Sequence, residues 1–232
     1  MSNPSALTLQ LPAAVANGIA LSQSLVAAGT LVLAGSLASA GVANLVTPQR
    51  VVIVSAGNDA GLIWTIIGTN ASGAPISETL AGATAVAVNS ALDYLTVTSI
   101  SGSGATASTV IAGTNTIGSS PWVLDNFLAP GWYLSVAVAL LSGSGTYTVE
   151  HTYDDPNQQP AALQQYGMSV GSSYPAVVFP NATLVNIAAT LTNNRLGEAN
   201  YANQPIMAHR LTVNSGTGLF KLWSLQAGIG DP

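Results

Sequence analysis

The chain has 232 residues, a formal net charge of −5 and only 6% charged residues, against about a quarter in an ordinary soluble domain. Its four cations, Arg50, Arg195, Arg210 and Lys221, are scattered. That excludes the clustered Lys and Arg by which a protein displaces counterions from nucleic acid or is drawn to anionic lipid. There is no cysteine, which excludes disulfides and thiolate metal sites.

No charged residue precedes Arg50. Within residues 1–48 the fragment Leu7–Leu11 alternates, placing Leu7, Leu9 and Leu11 on one face, and Thr30–Gly35 reads TLVLAG. The segment is expected either as an extended arm that docks on a neighbour or as the first strands of a sandwich. In the first case Leu7, Leu9 and Leu11 are candidate interface residues. Short strands or a short Ala-rich helix are expected near Ala13–Leu25. Leu25–Val46 is uncharged and long enough to span a membrane. Its Gly, Ser, Thr and Asn content and lack of interfacial anchors argue against a span. The region ahead of it lacks the basic residues of a signal peptide. No membrane partner is expected.

From Arg50 to Gly113, short β-rich runs alternate with Gly/Asn/Asp/Ser clusters, the pattern of an antiparallel meander. Hairpins are predicted between Val51–Val54 and Leu62–Gly68, and between Leu62–Gly68 and Pro75–Leu80. Leu92–Ile100 is a further strand and Thr109–Ala112 closes the unit. Gly113–Ser120 (GTNTIGSS) reads as a turn-rich linker.

Beyond it, Tyr133–Leu141 and Thr146–Tyr153 alternate around SGSG and predict a hairpin. Residues 156–182 read as a long loop, Thr183–Leu191 as a strand, and NNRLGEANYANQ as a polar loop. His209–Val213 and Leu219–Gln226 predict a last hairpin across NSGTG. The expected fold class is therefore all-β: two antiparallel β-sandwich or jelly-roll-like units with an extended N-terminal arm. The expected segments are 1–48 (arm or first strands), 49–118 and 119–232. A β-rich surface this poor in charge invites edge-to-edge association, so a homo-oligomer is expected.

No residue pattern points to catalysis, a cofactor or a metal. His151 shares a strand face with Tyr147 and Tyr153, but no G-x-S-x-G elbow accompanies it, and His209 opens a strand. Asp154 and Asp155 are adjacent at a strand end, and Asn58 and Asp59 sit in a turn; neither supplies the ligand spacing of a calcium loop. The Ser/Gly clusters do not open helices and lack the context of a phosphate cradle. Trp64 and Trp223 lie within strands and are expected in the core. Trp122 and Trp132 flank DNFLAPGW and are candidate interface residues, for a subunit or for a stacked sugar.

Two blocks carry a resemblance. RVVIVSAGNDAGLIWTIIGTNASGAPISETLAG (Arg50–Gly82), followed by Leu92–Thr106, resembles a segment of tailed-bacteriophage virion structural proteins. There a TSAGND-type turn precedes a strand, a GTD-x-x-G-type hairpin and an ETLTG-like strand. Ser119–Asn157 and Pro205–Ile229 are similar to the β-sandwich that accompanies it. Ala60 stands where Ser is usual and Asn70 where Asp is usual. The motifs are turn and strand patterns, and the family has no catalytic residues to carry over.

The resemblance implies a virion protein assembled in the host cytoplasm. The expected role is a capsid decoration (cement) protein, oligomeric and expected as a trimer, in contact with the major capsid protein or other virion proteins. A head-fibre or tail-associated protein, or a carbohydrate-binding adhesin module, is the alternative.

Overall fold

The computed structural model describes residues 3–125, 133–152, 182–189, 194–202 and 206–227. These residues contain no helix, and the strands pair antiparallel throughout, as the alternation predicts. The chain divides into two compact units. One, the sandwich unit, gathers residues 3–12 with the described residues from 116 onward. The described residues of the other, the inserted unit, are 13–115, which lie in sequence between the two parts of the first.

The sandwich unit has two sheets. The first has the order β1–β16–β11–β14, with β1 Asn3–Gln10, β11 Tyr133–Ser142, β14 Asn194–Ala202 and β16 Leu219–Ala227. The second runs β13–β12–β15, with β12 Gly145–Thr152, β13 Ala182–Ala189 and β15 Ala208–Gly216. Beside β15 lie β10 (Val123–Leu124) and the last residues of β9 (Val110–Ser119). Alternation decides which side chains meet. Leu134, Val136, Val138 and Leu140 of β11, with Phe220 and Leu222 of β16, face Tyr147 and Val149 of β12 and Leu211 and Val213 of β15. The Tyr147 and Phe220 rings meet at 5.5 Å, tilted by 54°. Each such side chain contributes about 1.5–3 kcal/mol by leaving water.

The two Ser/Gly turns of this unit are not hairpins. β11 and β12 are consecutive but belong to opposite sheets, and so do β15 and β16. Each turn carries the chain from one sheet to the other, so the inward rows face each other across the core. The two arches lie against one another, with the Gly218 N–H donating to the Ser144 carbonyl at 3.0 Å. Gly216 has φ +85°, and a Cβ there would stand 2.3 Å from the Ser144 oxygen. Only glycine fits that contact.

The N-terminal segment is divided rather than forming an arm. β1 pairs along its whole length with β16, from Asn3↔Gln226 to Gln10↔Leu219. Residues 13–48 belong instead to the inserted unit. The physical reason is the inward row of β1. Leu9 and Leu11 complete the sandwich core and Leu7 packs against it. NNRLGEANYA, expected as loop, is largely β14.

The inserted unit has the order β9–β5–β8–β6–β7, with β5 Val42–Ser55, β6 Ile63–Thr69, β7 Pro75–Ala81 and β8 Ala87–Gly102. Short strands flank it: β2 (Ala20–Gln23) on β9, β3 (Gly29–Thr30) on β8 and β4 (Ala38–Ser39) on β5. Ile19, Leu31, Leu45, Ile53, Trp64, Ile66, Tyr94 and Ile100 lie in its core. The β6–β7 hairpin is as expected. The predicted pairing of Val51–Val54 with β6 is replaced by pairing of β5 with β8, which reaches both β5 and β6 because it is long. GTNTIGSS is no linker: its first seven residues continue β9, whose Thr and Ile residues suit a strand.

Candidate functional site

The two histidines of the chain, 58 positions apart, are brought together. In the β12–β15 ladder His151 lies directly opposite His209. Both continue the inward row of Tyr147, Val149, Leu211 and Val213, and both are buried. The backbone of Asp125, just after β10, donates its N–H to the Met207 carbonyl at 2.9 Å. That fixes the Asp125 carboxylate against His209, with Oδ2 2.9 Å from Nδ1. His209 Nε2 is buried and meets no hydrogen-bond partner among the described residues. Burial pushes the His151 imidazole below its ordinary range, and pushes the Tyr147 hydroxyl up to about 12.

A buried Asp–His pair invites comparison with a hydrolytic relay, which needs a nucleophile at the second ring nitrogen. None stands there. The Ser120 hydroxyl accepts the Leu211 N–H at 3.1 Å and donates to the Pro121 carbonyl at 2.8 Å, so it ties β15 to the preceding turn. Among the described residues no group of three or more His, Asp or Glu side chains could hold a metal ion.

On the opposite face of the same ladder, Arg210 and Glu150 are cross-strand partners. Arg210 Nε donates to Glu150 at 2.8 Å and Nη1 to the Ser119 hydroxyl at 3.2 Å. Its guanidinium lies 4.6 Å from the centre of the half-buried Trp122 ring, a cation–π contact that covers one ring face. Trp132 and Asp154, Asp155 and Tyr153 lie outside the described residues, as does most of the predicted loop 156–182. Trp64 is core, as expected. Trp223, also expected there, is half-buried on the outer face of its sheet, with Lys221 Nζ 4.9 Å from the ring centre. Its alternation places it opposite Ala6 and Ala137, away from the inward Leu222.

The inserted unit carries a second polar cluster. Three residues of β8, Ser90, Ala91 and Leu92, bulge opposite Val51 of β5, leaving ladder groups unpaired. Glu78 reaches in from β7 and accepts the Ala91 N–H at 2.9 Å and the Leu92 N–H at 3.3 Å. The Ser90 hydroxyl accepts the Val51 N–H and donates to the Leu92 carbonyl, each at 2.8 Å. Burial raises the Glu78 carboxyl above its ordinary range. The two N–H groups, the Tyr94 hydroxyl and the Arg50 charge oppose that shift. Burial and the Glu78 charge hold the Tyr94 proton far more tightly than usual. The sequence signal was available: Glu78 interrupts the inward row Ile76–Glu78–Leu80 of an edge strand. An inward charge on an edge strand discourages further strand pairing.

Asp59, in the turn after β5, is buried, and its carboxylate accepts the Ala107 N–H at 2.7 Å. Several large apolar side chains are exposed. Val26 is 94% exposed, Val46 77% and Val32 67%, with Leu21 also exposed, all within the stretch that has no charge. Val46 sits on a second bulge, where Leu45–Pro48 of β5 lie between the pairs Asn44↔Thr96 and Gln49↔Tyr94. It has φ 64°, a conformation that β-branched residues rarely take. Leu7, Leu9 and Leu11, the expected contact residues, are turned into the sandwich core instead.

The chain matches no protein-family model and no curated protein. Among solved structures it is similar to the major capsid protein P2 of bacteriophage PM2, at 11% identity and a TM-score of 0.18, over 96% of this chain and 97% of that one. A score that low does not establish a shared fold.

Proposed function

We propose that this chain is a structural component of a tailed-phage virion, a capsid decoration protein that forms a homo-oligomer, expected as a trimer, over the major capsid protein. The observation that carries the reading is the uncharged apolar surface of residues 13–48, where Leu21, Val26, Val32 and Val46 are exposed. Apolar side chains grouped in sequence on a charge-free stretch are suited to burial against another protein, and no charge has to be desolvated there. The phage-like turn and strand blocks at Arg50–Gly82 and Ser119–Asn157 favour the same reading. The proposed role is structural rather than catalytic. Added contacts across capsid subunits would stabilise a shell by mass action.

The first test is the copy number per purified virion, by quantitative mass spectrometry against the major capsid protein. A ratio near one to one, or a simple fraction of it, supports decoration. A few copies per particle would move the protein to a head fibre or the tail, and absence from the particle would overturn the reading. Val26→Lys and Val32→Lys are the companion variants. Each is expected to abolish shell binding while the circular dichroism spectrum is retained.

A further inference from the structure

We propose that His151, set directly opposite His209, makes the β12–β15 ladder an acid-sensitive joint of the sandwich unit, opening when the His151 imidazole takes up a proton. The geometry carries this. The two side chains are directly opposite in an antiparallel ladder, which brings their Cβ atoms within about 4.5–5.5 Å. Both are buried at the end of the apolar core row. A proton taken up by His151 would place a charge in that buried row, directly opposite a second imidazole, and burial opposes it.

The surrounding groups sharpen the effect. Asp125 meets His209 through Nδ1 at 2.9 Å and is the carboxylate nearest the pair among the interactions of this ladder's inward face. Tyr147, two places along the inward row, keeps its proton to about pH 12 and supplies no negative charge. Glu150 and Arg210 neutralise each other on the opposite face of the ladder. The neighbouring strands β9, β10 and β13 contain no titratable residue.

The sign follows from the depressed His151 value. A group that is neutral in the fold stabilises it above its unfolded value near 6.5, and that stability is lost as pH falls through the lowered folded value. Glu78, in the inserted unit, is shifted the other way and contributes most at low pH. Acid loosening between pH 6.5 and 5 therefore cannot be assigned to it. Nothing in this inference depends on the proposed place in a virion.

Amide hydrogen exchange of the full chain at pH 7.5 and 5.0, corrected for intrinsic rates, tests it. Protection at 149–152 and 208–211 is expected to fall about tenfold or more at the lower pH, by local opening. In His151→Gln it is expected to be nearly the same at both values. As a second readout, His151→Gln is expected to make acid unfolding less steep by about one proton. Unchanged wild-type protection between the two pH values would overturn the proposal, as would an equal loss in His151→Gln.

Discussion

The Glu78 carboxylate accepts the backbone N–H of Ala91 at 2.9 Å, from a different strand and across the interior of its unit. An acid is thus buried to satisfy a bulge, and its effect on stability depends on pH. The folded value is raised, so its contribution is full below about 4.5 and is lost as pH rises through the raised value. Glu78→Gln is expected to flatten the pH dependence of urea unfolding between 4.5 and 7. Glu78→Ala leaves two N–H groups without an acceptor and is expected to cost about 2–4 kcal/mol at pH 5. A variant as stable as the wild type at that pH would show that the bulge does not need the carboxyl.

Val46 is expected to be a position where the fold improves on substitution. Its φ of 64° strains a β-branched side chain that is mostly exposed. Val46→Gly and Val46→Asn are expected to stabilise the protein by about 1 kcal/mol in chemical denaturation. The same variants are expected to weaken shell binding. A gain in stability with a loss in binding would identify the strained valine as a contact residue.

Gly216 allows the opposite experiment. Gly216→Ala places a methyl group against the Ser144 oxygen and forces an L-residue to φ +85°. A loss of about 2 kcal/mol or more is expected, read as a lower melting temperature. Gly41 also has positive φ, at +79°, but a Cβ there meets nothing within 4 Å. Gly41→Ala is therefore the control for backbone strain alone, and is expected to have the smaller effect.

Leu9→Ala tests the assignment of β1. Leu9 is buried opposite Phe220, and truncating a buried leucine costs about 2–5 kcal/mol. Deleting residues 2–12 is expected to unfold the sandwich unit, with loss of the Tyr147 near-ultraviolet signal. A detachable arm would leave it folded.

Much of the strand content was legible because period-two alternation is local. Leu134 to Leu140 and Tyr147 to Val149 announce an inward row wherever their partners lie. The partners were not legible. SGSG between two alternating runs is compatible with a hairpin or with an arch between sheets, because both keep the same side chains inward. Which one forms depends on Leu9, Phe220 and Val213, residues more than 200 positions apart in the extreme case. The Asp125–His209 contact was hidden for the same reason, since 84 residues separate them and no spacing rule applies. Glu78 was readable as an inward charge on a strand, but its purpose depends on a bulge in β8 that no local pattern marks.

Pairing of β1 with β16 has a consequence for biosynthesis. The described strands of residues 13–115 pair among themselves, and domains tend to fold in the order they emerge. The sandwich unit has no such freedom. Its first strand leaves the ribosome about 200 residues before the partner it pairs with, at an elongation rate of about 5–20 residues per second. For ten seconds or more, by that rate, Leu7, Leu9 and Leu11 are exposed on an uncharged nascent segment. The protein is therefore expected to engage a nascent-chain chaperone through its first dozen residues, in selective ribosome profiling, until Leu219–Ala227 arrives.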